Sequence, residues 1–165
     1  MEAMRHSGQE IDPMESPYSD RRTGRQFARV GYLYLTWLLV GCLAMHAFLS
    51  VWAVLVNLTW RTVDVAFFDG FAWIALLMLV LGAIGRIPRA LLILTLLVIA
   101  LLILQALLIS SSRDLSAFAV SGLHAPNALV LLGVSVPLGR RAQRFVRASD
   151  TVRARSKRAL RITRR

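Results

Sequence analysis

Four long apolar stretches alternate with short polar segments along this chain. They cover residues 30–56, 67–84, 90–109 and 117–138, and each is close to the roughly 20 apolar residues that a helix needs to cross a bilayer. Backbone in lipid must satisfy its own hydrogen bonds, so each stretch is predicted to be an α-helix. The alternation predicts an all-α protein, an integral membrane four-helix bundle with up-down topology.

Composition agrees with a chain solvated by lipid. Hydrophobic residues make up 56% of the 165 residues, and only 9 residues are Asp or Glu. The mean hydropathy is +0.58. A soluble globular domain is therefore excluded.

Basic residues predict the orientation, because they resist translocation when they lie close to a span. The two loops predicted to lie outside carry Arg61 and Arg113, whereas the chain after Leu138 carries eleven Lys and Arg residues. Both termini are expected in the cytoplasm, with the protein in the cell (cytoplasmic) membrane. The basic residues that flank the first span and fill the second connection are Arg21, Arg22, Arg25, Arg29, Arg86 and Arg89.

The chain divides into three parts. Residues 1–28 are polar without apolar periodicity and are expected to be disordered and cytoplasmic. Residues 29–139 form the transmembrane domain, and residues 140–165 form a basic cytoplasmic tail. Arg140, Arg144 and Arg147 fall on one helical face of this tail, which suggests a contact with anionic lipid headgroups. The alternative is a simply solvated tail, and nucleic acid binding is not expected.

Two histidines lie inside the apolar stretches. His46 is about ten residues before the outer end of the first stretch, and His124 is about seven residues after the start of the fourth, so both belong to one level of the outer leaflet. Polar side chains at such depth face other helices or a cavity and are functional candidates by default. The predicted polar core comprises His46, Ser50, Asp69, Gln105, Ser121, His124 and Asn127.

Three roles for this polar core remain open. Its members could satisfy one another by hydrogen bonds and fix helix register. His46 and His124 could instead be the axial ligands of a haem b in an electron-transfer protein. A proton or small-solute pathway is the third role, with Asp69 at its outer mouth and Pro126 opening the helix beside His124.

Other chemistry is not indicated. The chain has one cysteine, Cys42, and no cluster of Cys and His that suggests a zinc site. It contains no phosphate-binding glycine loop and no protease or esterase motif, so an enzyme is not expected. A homo-oligomer or a second membrane subunit is a reasonable expectation for a protein with so few spans.

Several segments together resemble a known family. They are MHAFLSVWAVL in the first span, FFDGFAW in the second, the turn RIPR, LQALL in the third and LHAPNALVLLGV in the fourth. The chain resembles, over residues 32–142, a family of small bacterial four-span membrane proteins termed domain of unknown function six-two-two-zero. Its most specific segment holds His124, Pro126 and Asn127. The family usually has a further histidine after the aspartate of the second span, where this chain has Phe71. The resemblance implies the four-span topology and the polar layer, and no activity.

Overall fold

The computed structural model describes residues 17–57, 59–111 and 117–163, and in this part of the chain all regular structure is helical. The prediction of an all-α chain is confirmed. The helices are α1 Pro17–Leu55, α2 Trp60–Phe71, α3 Trp73–Ile84, α4 Arg89–Ser111 and α5 Ala117–Thr163.

Helices α2 and α3 form one continuous span. Ala72, which separates them, keeps helical dihedral angles, and its N–H donates to Phe68 O at 3.0 Å. Residues 60–84 therefore form one continuous helix. In the described chain, three segments are long and apolar enough to cross a membrane: Thr23–Ala53, Trp60–Ile84 and Arg89–Ser110.

The turn between α3 and α4 closes with a Schellman motif. Ile87 N–H donates to Gly82 O at 3.1 Å and Arg86 N–H donates to Ala83 O at 3.2 Å. Arg86 sits at the left-handed position of the motif with φ of 50°. Arg29 of α1 donates from Nε to Gly85 O at 2.8 Å, so one side chain ties α1 to the end of α3.

The helices pack in sequential order. Helix α1 contacts α5 on one side and α2 and α3 on the other, while α4 contacts α3 and α5. Each helical segment thus neighbours the one before and the one after it, and α5 closes back on α1. Side chains from all of them reach the interior.

Inward-facing positions recur at intervals of three and four residues, as a packed helix requires. Along α2 and α3 the buried residues are Asp64, Phe68, Phe71, Ala75, Met78 and Gly82. The outward positions are also apolar: Ile93 and Leu129 are both 64% exposed. An apolar outer surface on long helices is typical of a membrane protein.

Two predicted boundaries differ from the structure. Helix α1 begins at Pro17, so residues 17–28, which were expected to be disordered, are helical as far as they are described. The helix extends toward the N-terminus beyond the predicted start at residue 30, because Ala28 packs into the core and Arg29 hydrogen-bonds to the end of α3. The second span begins at Trp60 instead of residue 67, because its early polar residue Asp64 turns inward.

Candidate functional site

Six polar side chains from all parts of the bundle meet near the end where α1 passes to α2 and α4 passes to α5. We call them the histidine layer: His46 and Ser50 of α1, Asp64 of α2, Gln105 of α4, and His124 and Asn127 of α5. His46 and Gln105 are fully buried, and the His124 side chain is 18% exposed. Residues distant in sequence thus form one enclosed polar site.

Asp64 anchors one side of the histidine layer. Its Oδ1 lies 2.7 Å from His46 Nδ1, and its Oδ2 accepts a hydrogen bond of 2.7 Å from Ser50 Oγ. His124 Nε2 lies 3.5 Å from Oδ2 and 3.1 Å from Ser50 Oγ. The carboxylate therefore links α2 to α1 directly and to α5 at longer range.

Gln105 bridges the two imidazoles on the other side. Its Nε2 lies 3.1 Å from His46 Nε2 and 2.7 Å from His124 Nδ1. Its Oε1 accepts a hydrogen bond from Asn127 Nδ2, which also donates to Leu101 O at 3.2 Å. One amide thus joins α4 to α1 and twice to α5.

A single proton arrangement satisfies these contacts. His46 carries its proton on Nδ1 and donates it to Asp64, which leaves Nε2 to accept from Gln105. His124 carries its proton on Nε2 and donates to Ser50 Oγ, which leaves Nδ1 to accept the second amide hydrogen of Gln105. Both imidazoles are then neutral, and Asp64 carries the only formal charge of the layer.

Aromatic rings close the layer toward the bundle interior. The His46 ring centroid lies 5.2 Å from that of Phe68 and 6.0 Å from that of Phe71. The two imidazole centroids are 5.2 Å apart and their planes are nearly perpendicular, at 89°. These contacts hold both rings in fixed orientations.

Three side chains of the layer have the chemistry of a metal site. His46, Asp64 and His124 can each present one ligand atom, and these atoms lie within 4.8 Å of one another. Around a zinc ion with bonds of about 2.1 Å, ligand atoms in tetrahedral geometry are roughly 3.4 Å apart. The separation of 3.5 Å between His124 and Asp64 already fits this value. The His46 ring, at 2.7 Å from Asp64, would need a small outward shift.

A second buried polar group lies deeper in the bundle and has no such chemistry. Tyr32 donates its hydroxyl hydrogen to Thr95 Oγ1 at 2.7 Å, and Thr95 donates to Leu91 O within its own helix. Ser135 of α5 is also buried, and its hydroxyl has no partner in the described chain. This group contains no histidine or carboxylate, so it is structural.

Not all residues predicted for the polar core lie in the histidine layer. It brings His46, Ser50, Gln105, His124 and Asn127 together. Asp69 was placed with them incorrectly: it is exposed on the outside of α2. At 3.6 residues per turn, a residue five positions after the inward-facing Asp64 points about 140° away from it. The Ser121 side chain lies outside the described part.

Asp64 is not among the residues predicted for the polar core, and without it the metal-binding geometry could not be predicted. Asp64 falls close to Arg61 and Thr62, so the local sequence resembled a polar loop. The available signal was its register, because Asp64 precedes Phe68 and Phe71 at the spacing of one helical face.

Comparisons with protein-family models, curated proteins and solved structures give no match for this chain. The family resemblance therefore stays a prediction.

Proposed function

We propose that the chain is a small multi-pass protein of the cytoplasmic membrane, folded as a transmembrane four-helix bundle with both termini in the cytoplasm. The apolar outer surface supports the membrane placement. Arg86, Arg89 and Arg144 belong to the end opposite the histidine layer, which supports a cytoplasmic location for that end. The histidine layer then lies in the outer half of the bilayer.

Helix α5 continues beyond the predicted fourth span, which ends at residue 138. Arg140, Arg144 and Arg147 are exposed, whereas Phe145 and Val146 are half-buried. Arg29 lies over the Phe145 ring at 5.2 Å, which holds this part of α5 against α1. We propose that the exposed arginines contact anionic headgroups of the inner leaflet.

We propose that the bundle binds a divalent transition-metal ion through His46, Asp64 and His124. The observation that carries this proposal is the convergence of two imidazoles and one carboxylate from three helices within 4.8 Å. Two histidines and one carboxylate form a donor set for Zn²⁺, Fe²⁺ or Mn²⁺ and leave coordination positions open for water or a substrate.

Gln105 supports the ligands in this proposal. A histidine that binds a metal through one ring nitrogen almost always donates its other N–H to an oxygen acceptor. Gln105 contacts the ring nitrogens of His46 and His124 that face away from Asp64. If the amide is turned to place Oε1 at these nitrogens, it accepts both N–H groups. Its Nε2 then faces Asn127, whose amide must turn as well and give up its hydrogen bond to Leu101 O.

The geometry favours a bare ion over haem. A porphyrin between two axial histidines needs an open slot as wide as the macrocycle. Here the imidazole centroids are 5.2 Å apart and the Gln105 amide bridges both rings. Binding of a metal ion displaces protons from the ligand atoms and needs only small shifts of side chains. Haem would require the helices to move apart.

The test is the absorption spectrum of Co²⁺, titrated into purified, metal-free protein in detergent. We expect saturable binding with d–d bands typical of nitrogen and oxygen ligands, and loss of these bands in His124→Ala and Asp64→Asn. Gln105→Leu should weaken binding by roughly 10–100-fold, as the loss of an outer-shell partner does. Thr95→Val is the matched control, because it removes a fully buried polar contact outside the layer.

A Co²⁺ spectrum identical in wild type and both ligand variants contradicts the metal site. A Soret band in protein purified from cells, lost in His46→Ala, would instead support haem. Proton flux in liposomes abolished by Asp64→Asn, without metal binding, would support the relay formed by Asp64, Ser50 and His124.

A further inference from the structure

A second concave site lies on the outside of the bundle, between the α2–α3 span and α4. It is a groove of about 360 Å³ that is open toward the surroundings of the protein. Phe68, Asp69 and Trp73 form one wall, and Ile99, Ile103 and Ala106 belong to the other. Its volume is in the range of small-molecule pockets, which begin at about 300 Å³.

Asp69 is the one ionisable side chain that lines this groove. It is exposed, and it makes no hydrogen bond or ion pair with the described part of the chain. It also lies about 7.5 Å farther along the helix axis than Asp64, deep within the span Trp60–Ile84. A carboxylate facing hydrocarbon at this depth is costly, and it calls for a cation or a hydrogen-bond donor.

Aromatic surface accompanies this carboxylate. Trp73 follows Asp69 by one helical turn and is 71% exposed, so its indole face is accessible from the groove. Phe68 lies at the base of the same wall and is only 2% exposed. Such a pair attracts a cation through two interactions: the charge of the carboxylate and the cation–π interaction with the indole.

A second copy of this chain does not supply the complementary charge. The basic residues of the described chain lie at the ends of the spans, where Arg29, Arg61 and Arg89 are examples. Asp69 is nine residues into its span and Arg61 only one, so a copy with the same orientation in the membrane brings no Lys or Arg of the described chain to that depth. The occupant must bring its own charge into the apolar layer.

We propose that this groove binds a lipophilic cation, an ammonium or phosphonium with aromatic or alkyl substituents, which enters laterally from the bilayer. Asp69 pairs with the charge, Trp73 covers one face of the ligand, and the side chains of α4 contact its apolar substituents. The proposal is independent of the metal site, because Asp69 lies outside the histidine layer.

Equilibrium dialysis of the full chain in detergent tests this proposal with tetraphenylphosphonium as the probe. Tetraphenylborate has the same shape and the opposite charge, so it separates recognition of charge from partitioning into the micelle. We expect saturable binding of the cation alone. Asp69→Asn should raise its Kd by roughly tenfold or more, because the charge-assisted contact is lost. Trp73→Phe should raise Kd less, and Trp52→Phe, on α1, is the matched control and should leave it unchanged.

Three results would overturn the proposal. They are equal binding of both probes, binding that Asp69→Asn does not weaken, and absence of saturable binding to protein whose circular dichroism is that of folded helices. If Asp69→Asn instead converts a dimer into a monomer in light scattering, with no cation bound, the occupant is a second copy. Co²⁺ binding should persist in Asp69→Asn, so failure of this proposal and failure of the metal site are distinguishable.

Discussion

Replacement of Gln105 with leucine is expected to lower the free energy of unfolding by about 2 kcal/mol. The substitution keeps the side-chain size and removes the contacts to His46 Nε2, His124 Nδ1 and Asn127 Nδ2. Interhelical hydrogen bonds in membrane proteins average about 0.6 kcal/mol, so three of them give about 2 kcal/mol. New partners for the imidazoles would reduce this loss. The enclosed layer offers few of them, so we expect most of the roughly 2 kcal/mol to be measured.

The assay is reversible unfolding in mixed micelles of mild detergent and dodecyl sulfate, followed by circular dichroism. Thr95→Val is again the control: Thr95 lies on α4 like Gln105, and the substitution removes one hydrogen bond, that to Tyr32 of α1, so it should cost about one third as much. The reasoning is refuted if Gln105→Leu destabilises no more than this control, because the layer would then not couple the helices. A double-mutant cycle with His124→Ala should show strong non-additivity, since both changes remove the same contact.

Two further substitutions should stabilise the protein. Ser135→Ala removes a buried hydroxyl without a partner in the described chain and should raise the free energy of unfolding by about 0.5–1 kcal/mol in the same assay, whereas a loss would reveal a partner that binds this hydroxyl. Arg86→Gly relieves the left-handed backbone at φ of 50° and should gain about 1 kcal/mol in thermal unfolding. Arg86→Ala keeps the strained Cβ and should give no gain, so equal effects of the two variants would contradict the backbone explanation.

The helices and most of the histidine layer could be predicted because their signals are local. His46, Gln105 and Asn127 are polar side chains inside long apolar stretches, and such residues face the interior of a helical membrane protein. Their common level follows from counting residues along each helix, since the rise per residue is fixed.

The remaining parts of the site depend on helix rotation, which local sequence does not determine. Asp64 and Asp69 both lie in the same polar-to-apolar transition, and only packing decides which of them turns inward. The contacts of Gln105 with both imidazoles likewise depend on the angle at which α4 faces α1 and α5. Depth was therefore accessible from the sequence, and direction was not.

Two kinds of contact fix the rotation of α2 about its axis: aromatic packing and polar contacts. Phe68 and Phe71 pack into the core on the same face as Asp64, and Asp64 itself pairs with His46 and Ser50. A rotation that brought Asp69 inward would expose both aromatic rings and break both polar contacts, so packing and hydrogen bonding both oppose it.

Asp64 and Asp69 differ in what they contribute to the fold. The fold requires Asp64, because a buried imidazole and a buried hydroxyl depend on it. It requires nothing of Asp69, whose side chain contacts no polar group of the described chain and would meet lipid less favourably than leucine would. A carboxylate without a polar contact in the described chain, in a groove beside an exposed indole, is the feature for which we propose the cation site. The two aspartates of α2 therefore differ in their surroundings: Asp64 links α1 and α2 within the histidine layer, whereas Asp69 faces outward, where the proposed cation would pair with it.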